Sequence, residues 1–568
     1  MQNVEVSWIF HEIADLLEIK GGDFFKIRAY RNAAKTIYRL EQPLDQLVRS
    51  GEINKLPGIG KAIAAKIEEI IKTGTCKTHQ ELLEEIPRGV LEITSLPGIG
   101  PKKARLLFKK LGVLSLDQLE QAAKDRQVRK VPGMSSKTEL EILRNIKAIR
   151  SSGEKTVLGL AREIGAELRK YLLSLPGVKR VEIGGSTRRW REAVSDLDLV
   201  VAAEQASLVI AAMLKHPRVT EVLDQSERSI KVLTWWGVPV ELSVVPPHRF
   251  VLAWHRNSGS KNHYRQLQKL AKEKGIELSH GGLSVDGKPV EVKDEADIYR
   301  ALGMQYIPPE IREDRGEIEA AKTGTLPKLV EIDDIKGDLH SHTTWSDASA
   351  SLEEMVAAAK NRGYEYLAVT DHSGSLKIAN GLDEKRLAEQ CKVIERLNRQ
   401  EEDFTILTGV ECDILSDGRL DHPDRVLEEL DVVVASVHRN FKMDKKAMTD
   451  RIIAAIEHEH VDIIGHVTGR LLGRRSGYEV DMEKVLEAAA KYNTVLEINS
   501  SPERLDLNED NAALARDLGV KIAINTDAHD TGRLEDIIYG VAVARRAWLG
   551  PEDVVNTLEV DELLKTLR

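Results

Sequence analysis

The sequence predicts a multidomain chain of α and α/β class, with a helical N-terminal region, an α/β unit in the middle and a parallel barrel at the C-terminal end. Three observations predict it. Residues 1–150 carry apolar residues at i, i+3 and i+4 almost throughout, as in "AIAAKIEEIIKTG" and "PKKARLLFKKLG". From about 151 short valine- and leucine-rich runs appear, among them "VKRVEIGG", "SDLDLVVAA" and "GVPVELSVV", which read as strands. From 336 onward strand-like and helical runs alternate regularly, the pattern of repeated βα units. A length of 568 residues fits several domains at ~100–200 residues each.

Composition is that of an ordinary soluble globular protein, 42% hydrophobic and 30% charged. Cys76, Cys391 and Cys412 are too few and too far apart for a disulfide framework or a zinc ribbon, so a reducing cytoplasm is the expected location. The N-terminus has early acids and no long apolar run, and no stretch approaches ~18 apolar residues; neither a signal peptide nor a membrane span is expected. The net charge of −9 divides unevenly: +7 over 1–150, 0 over 151–335 and −16 over 336–568. A basic head suggests a polyanion partner, and an acidic tail suits a carboxylate-rich metal domain.

The helical region repeats itself. "KLPGIGKAIAAKI" (55–67) and "SLPGIGPKKARLL" (95–107) recur forty residues apart, and "KVPGMSSKTELEIL" (130–143) is a weaker copy. Solenoid consensus residues are missing, so paired hairpins are the better reading. Gly58 and Gly60, and likewise Gly98 and Gly100, permit a tight turn and let backbone N–H groups at the next helix approach a phosphate, while the isoleucine between them packs inward. This resembles the helix-hairpin-helix motif, which grips the DNA backbone without reading sequence. Lys61, Lys102 and Lys103 follow the turns and would add phosphate contacts.

In "EIGGSTRRWREAVSDLDLVV" (182–201) Asp196 and Asp198 alternate along a strand and share a face, so they could hold a pair of divalent cations. Glu241 in "VPVELSVV" is a third carboxylate of the right parity. Gly185 and Ser186 offer backbone and hydroxyl groups to a triphosphate, and Arg188 and Arg189 offer charge. Helical hairpins, then "GGS…RR…DLD", then "SGSKNH", resemble the X-family DNA polymerases, and with the C-terminal region the resemblance extends over essentially the whole chain to the bacterial subgroup that carries a PHP (polymerase and histidinol phosphatase) domain. The resemblance implies a nucleotidyltransferase-type palm with magnesium or manganese at Asp196, Asp198 and Glu241, dNTPs as substrates, and nucleotide contacts at Ser258 and Gly259. Lys66 aligns with that family's Schiff-base lysine for removing deoxyribose phosphate; a lysine on a basic helix is more often a phosphate contact. The departures are Glu241 in place of aspartate, Trp190 in place of glycine, Arg256 and Asn257 in the sugar-contacting segment, and Tyr264 in place of asparagine.

The C-terminal region concentrates metal-ligand chemistry at strand ends: His340-x-His342 with Asp347 in "DLHSHTTWSD", His372 in "TDHS", Glu411 in "GVECD", His438 in "ASVHRN", His466 in "GHVTGR", and Asp527-x-His529 in "NTDAH". Core packing does not account for so many polar groups at such positions. Imidazole mixed with carboxylate suits zinc, manganese or iron rather than a magnesium or calcium cage. The set resembles the PHP phosphoesterases, which implies a distorted (β/α)7 barrel, counterparts for all nine family ligands without substitution, three ions, and 3′→5′ exonuclease chemistry. Arg439 and Arg470 follow two of these residues and are candidates to clamp a phosphate.

The expected organisation is a helical DNA-binding domain (1–85), a fingers-like helical domain (86–150), the palm (151–245), a thumb-like part (246–316), a linker (317–335) and the PHP domain (336–568). The expected function is DNA repair, with a monomer acting on gapped or nicked duplex and primer 3′ ends. One alternative is a PHP nuclease or phosphatase whose altered polymerase core only binds DNA; a non-catalytic DNA-binding scaffold is another.

Overall fold

The computed structural model describes residues 3–40, 44–51, 53–56, 58–94, 96, 99–150, 155–279, 282–473 and 475–567. The chain forms two compact units: Met1–Thr156 with Leu160–Gly184 and Val194–Asn257, and Val157–Gly159 with Gly185–Ala193 and Ser258–Arg568.

The first unit begins with helices Asn3–Lys20 and Phe24–Arg39, the second capped by the Asp23 carboxylate accepting from the Lys26 N–H. Each glycine-rich turn then feeds a helix. Lys61–Thr73 starts behind Gly60, buries Ile63, Ala64, Ile67 and Ile70 along one stripe, and stops at Gly74, whose φ of 84° only glycine adopts cheaply. Pro101–Leu111 has Pro101 at its first position, buries Ala104 and Leu107, and stops at Gly112 (φ 67°). Ile59 and Ile99 are both buried, as the turn pattern requires. Gly58 has a φ of 77°; Gly98 lies outside the described residues.

The same unit holds a five-stranded mixed sheet of β1 (Val178–Ile183), β2 (Leu197–Ala203), β3 (Val219–Gln225), β4 (Ser229–Thr234) and β5 (Pro239–Val245), in the order β1-β2-β5-β4-β3. Only β2 and β5 run parallel. The central strands alternate: Leu197, Leu199, Val201, Val240, Leu242 and Val244 are buried in one apolar cluster, and Asp198 and Glu241 take the intervening positions.

Helix Phe250–Ser258 lies in the first unit up to Asn257; the second unit carries helices Lys261–Glu273 and Glu295–Ala301, with a small three-stranded antiparallel sheet between them. Residues 317–335, expected as a linker, are instead packed. Glu317–Thr323 is a helix, Glu317 is fully buried against His263 (2.6 Å), and the Val330 N–H donates to the Leu549 carbonyl. The apolar alternation of "EIEAAKTGTLPKLVEI" was a signal for this that its Gly and Pro residues obscured.

A seven-stranded parallel sheet follows: β6 (Gly337–Ser341), β7 (Tyr366–Val369), β8 (Thr405–Asp413), β9 (Val432–Ser436), β10 (Ile463–Ile464), β11 (Val495–Asn499) and β12 (Ile522–Asn525), paired in chain order. Ser341 bridges Ala528, so the sheet nearly closes into a barrel. Leu339, Tyr366, Ala368, Leu407, Val432, Val434, Val495 and Ala523 form one cluster with Leu563 of the C-terminal helix; Leu367, Val369 and Ile406 belong to another, with the surrounding helices. Followed along each strand, the face that begins with Leu407, Val434, Val495 and Ala523 ends, at even spacing, in Glu411 and Asp413, Ser436 and His438, Glu497, and Asn525 and Asp527. The change from apolar to polar along one face places the chemistry at the C-terminal mouth of the barrel.

Candidate metal centre and nucleotide site

Eight of the nine expected ligands fall into three overlapping groups whose ligand atoms lie within 4.8 Å of one another: His342, Asp347, His372 and His529; His340, His342 and Asp527; and His372, Glu411 and His438. The ninth, His466, places Nε2 3.0 Å from Glu411 Oε1. Glu411 is the hub. His340 Nε2, His438 Nε2 and His372 Nδ1 lie 3.4, 3.2 and 2.6 Å from its carboxylate. Two of these nine positions bend the main chain into the left-handed region, His466 (φ 27°) and Asp527 (φ 54°), the kind of strain that surrounding structure must hold in place.

Three imidazoles are aimed by outer partners. His340 Nδ1 donates to Glu497 (2.7 Å), His438 Nδ1 to Asp413 (2.6 Å) and His529 Nδ1 to the Asp527 carbonyl (2.8 Å), which turns each Nε2 toward the cluster. Asn499 donates to Asp527 Oδ2 (3.1 Å), and Arg504 stands 3.6 Å from the same oxygen. The electrostatics are strongly coupled. Burial works against charge on His438, yet Glu411 and Asp413 outweigh it and raise its pKa to about 10. Burial, with His529 and His372 alongside, pushes His342 down to about 3. Burial would raise Glu411, but the surrounding histidines hold it well below the ordinary carboxylate range.

The donor set fits divalent cations. His342 Nδ1 and His466 Nδ1 are buried with no hydrogen-bond partner among the described residues, and His340 Nε2 and His342 Nε2 face carboxylates without hydrogen-bonding to them. Glu497 and Asp413 were not foreseen as functional. Asp413 was legible as the second carboxylate on the Glu411 face of β8, and Glu497 as the lone charge in "TVLEIN". Arg470, expected as a clamp, is committed elsewhere, donating to Glu192 and to the carbonyls of Arg504 and Leu505. Arg439 is half-exposed, 3.9 Å from Asp413.

In the first unit, parallel pairing of β2 and β5 sets Asp198 beside Glu241, and antiparallel pairing of β4 sets Lys231 opposite Glu241. Lys231 Nζ lies 3.2 Å from Asp196 and 3.7 Å from Glu241. Burial alone would lower its pKa; Asp196, Glu241 and Asp198 raise it instead. Sequence reasoning missed Lys231, the lone charge in "SIKVLT". Gly184 is buried and its N–H donates to the Asp198 carbonyl; a Cβ there would meet the Asn257 carbonyl at 3.3 Å. Lys66 is half-buried on helix Lys61–Thr73, Ala62 and Ala65 are exposed, and Lys61 and Lys102 are exposed.

In the second unit, the arginines expected to meet a triphosphate already have partners. Arg188 makes two hydrogen bonds to Glu295 (2.8 and 2.7 Å) and one to the buried Ser258 hydroxyl (2.5 Å). Arg189 donates to Glu313 (2.9 Å) and to the Ser258 carbonyl (2.8 Å). Burial opposes ionised Glu295, but Arg312 and Arg188 hold its pKa far below the usual range. Gly185 adopts a φ of 59° and is buried, Ser186 is half-buried, and a Cβ on Gly259 would meet His263 at 2.8 Å. Trp190 has a φ of 56°, which costs a non-glycine residue ~1–2 kcal/mol. Its ring meets Tyr539 edge-on at 5.5 Å.

Fold and sites together describe a class: helical hairpins and a carboxylate-bearing mixed sheet in one chain with a parallel barrel whose mouth gathers imidazoles and carboxylates. Comparison with known proteins agrees along the length of the chain. Residues 1–76 match the helix-hairpin-helix domain family, 90–148 the SAM-like helix-hairpin-helix tandem, 253–313 the DNA polymerase beta thumb and 338–501 the PHP domain. The DNA polymerase/3′-5′ exonuclease PolX of Bacillus subtilis (strain 168) is 37% identical over 99% of each chain. A probable phosphatase of Thermoanaerobacter sp. (strain X514) is 34% identical, over 39% of this chain and 89% of its own, and the probable phosphatase YcdX of Escherichia coli (strain ATCC 8739) is 30% identical, over 39% and 89%. The chain belongs to the bacterial PolX family of DNA polymerase/3′-5′ exonucleases.

Proposed function

We propose that this protein acts on gapped or nicked DNA, extending primer 3′ ends from dNTPs at Asp196, Asp198 and Glu241 and trimming 3′ ends at the barrel mouth. The observation that carries the hydrolytic half is the convergence of nine imidazole and carboxylate side chains, with Glu497 and Asp413 fixing two of the ring orientations. Three manganese, zinc or iron ions, bound by His340, His342, Asp347, His372, Glu411, His438, His466, Asp527 and His529, would supply an activated water and charge neutralisation at phosphorus. What the chain's own residues do is hold that cluster rigid: buried carboxylates orient the rings, and Asn499 and Arg504 steady Asp527.

The polymerising half rests on the Asp198–Glu241 pairing, which gives magnesium or manganese a carboxylate site with Asp196 beside it. Gly185, Ser186, Arg189, Ser258 and Gly259 form the nucleotide side. The hairpins at Gly58, Gly60 and Lys61, and at Gly98, Gly100 and Lys102, hold the DNA backbone through N–H groups and lysines. Lys66 is read as a further phosphate contact. It works as a monomer in the cytoplasm, the reducing compartment that its three widely spaced cysteines suit. Among the described residues no helix is long and apolar enough to cross a membrane.

A second reading, favoured by the phosphatase relatives, is hydrolysis of small phosphate monoesters. A 5′-labelled primer on gapped DNA, incubated with Mn²⁺ with and without dNTPs beside a parallel assay on p-nitrophenyl phosphate, separates the two. We expect shortening without dNTPs, lengthening with them, and slow monoester turnover. Rapid monoester turnover with unchanged DNA would contradict the proposal.

A further inference from the structure

The segment Gly185–Ala193, which carries the nucleotide-side residues Gly185, Ser186 and Arg189, forms one compact unit with the barrel rather than with the carboxylate-bearing sheet. Its fastenings are specific. The Trp190 ring packs against the barrel core and meets Tyr539 of helix Ile537–Arg546 edge-on at 5.5 Å. From the far end of that helix, buried Arg546 donates to the Arg189 carbonyl (2.5 Å) and to Glu313 (3.2 Å), the carboxylate that also holds the Arg189 guanidinium. Arg470, beside the barrel ligand His466, donates to Glu192 (2.8 Å). Three residues of this short segment, 189, 190 and 192, are thus tied to two elements of the barrel.

Trp190 gives the arrangement its meaning. A tryptophan at φ 56° is unfavourable unless the ring gains something, and what it gains is the face of Tyr539. A glycine would adopt the same backbone freely but would give the barrel nothing to hold.

We infer that the barrel positions the nucleotide loop of the polymerase site: Tyr539, through Trp190, and Arg546, through the Arg189 carbonyl, fix where the Arg189 guanidinium stands and thereby set dNTP affinity. The inference rests on the polymerase reading above. Neither residue reaches the reacting atoms; both are positioning residues.

The test is single-nucleotide insertion by the full-length protein, in a His342→Ala background that silences trimming, measuring KM for dNTP and kcat separately. Tyr539→Ala should raise KM about tenfold with kcat little changed, since a small displacement of a substrate-holding group is expensive. Tyr539→Phe, which keeps the ring, should restore most of it. Trp190→Gly should raise KM to the same extent, and the Trp190→Gly/Tyr539→Ala pair should be no worse than either alone, because both remove one contact. Tyr539→Ala with His342 intact should trim DNA at the normal rate. An unchanged KM, or additive losses in the pair, would overturn the inference while leaving the polymerase reading in place. An equal fall in trimming would also overturn it, since the barrel as a whole would then have loosened. If the His342→Ala protein inserts no nucleotide at all, this inference and the polymerase reading fall together.

Discussion

The barrel mouth and the carboxylate sheet are built to different standards of burial and support. At the mouth, His340, His342 and Glu411 are fully buried, and outer carboxylates fix His340 and His438. On the sheet, Asp196, Glu241 and Lys231 are each about one-third to one-half exposed, and a single lysine bridges the two acids. The nucleotide-side arginines, in turn, are held by Glu295 and Glu313 rather than left open. Burial and support set how much change each site tolerates. A buried, mutually oriented cluster should lose function when any member is removed, whereas a half-exposed carboxylate site should absorb a longer side chain such as Glu241 because solvent screens its charge.

Several substitutions break or sharpen this contrast. The largest effect is expected from His342→Ala or Glu411→Gln. Either should abolish 3′ trimming, by about a thousandfold or more, because charge stabilisation at phosphorus is worth several kcal/mol; gel analysis of primer shortening checks it. Asp198→Asn should remove primer extension to a comparable degree while trimming continues at its normal rate. Asp413→Asn touches no cation directly but releases the His438 ring, so ~10–100-fold weaker metal binding is expected, readable by titrating manganese against metal-free protein. Lys231→Ala should have the opposite sign at the other site. Removing the resident cation frees Asp196 and Glu241, and the Mn²⁺ concentration for half-maximal extension should fall by ~3-fold, in keeping with a half-exposed ion pair worth under ~1 kcal/mol. The smallest is Gly58→Ala: at φ 77° it should cost ~1 kcal/mol of stability in the head and weaken DNA binding, seen by denaturant melts and by the salt dependence of binding.

The same contrast governs how much could be read in advance. The barrel was legible because its imidazoles and carboxylates follow strand ends at a fixed phase: once "TDHS", "GVECD" and "NTDAH" are placed on βα units, period-two geometry gathers them. The hairpins were legible because Gly-x-Gly ahead of an apolar stripe has few other uses. What could not be read were partners brought by pairing and packing. Lys231 meets Glu241 only because β4 lies antiparallel beside β5, and no local signal announces that register. Arg188 finds Glu295 across 107 residues, and Arg189 finds Glu313 across 124, so arginines that look unpartnered in sequence stand on carboxylates in the fold. Residues 317–335 looked like a linker by their Gly and Pro content, yet the buried Glu317–His263 pair anchors them.

We propose that one chain carries two active sites, building at the sheet and cutting at the barrel mouth. The most direct measurement is a crossed experiment on a 5′-labelled primer in gapped DNA with Mn²⁺ and dNTPs, comparing wild type, Asp198→Asn and His342→Ala by product length. Asp198→Asn should only shorten the primer, His342→Ala should only lengthen it, and the wild type should do both. Loss of lengthening in His342→Ala, or lengthening by none of the three proteins, would contradict the two-site reading and leave the sheet as a platform that grips DNA for the barrel to cut.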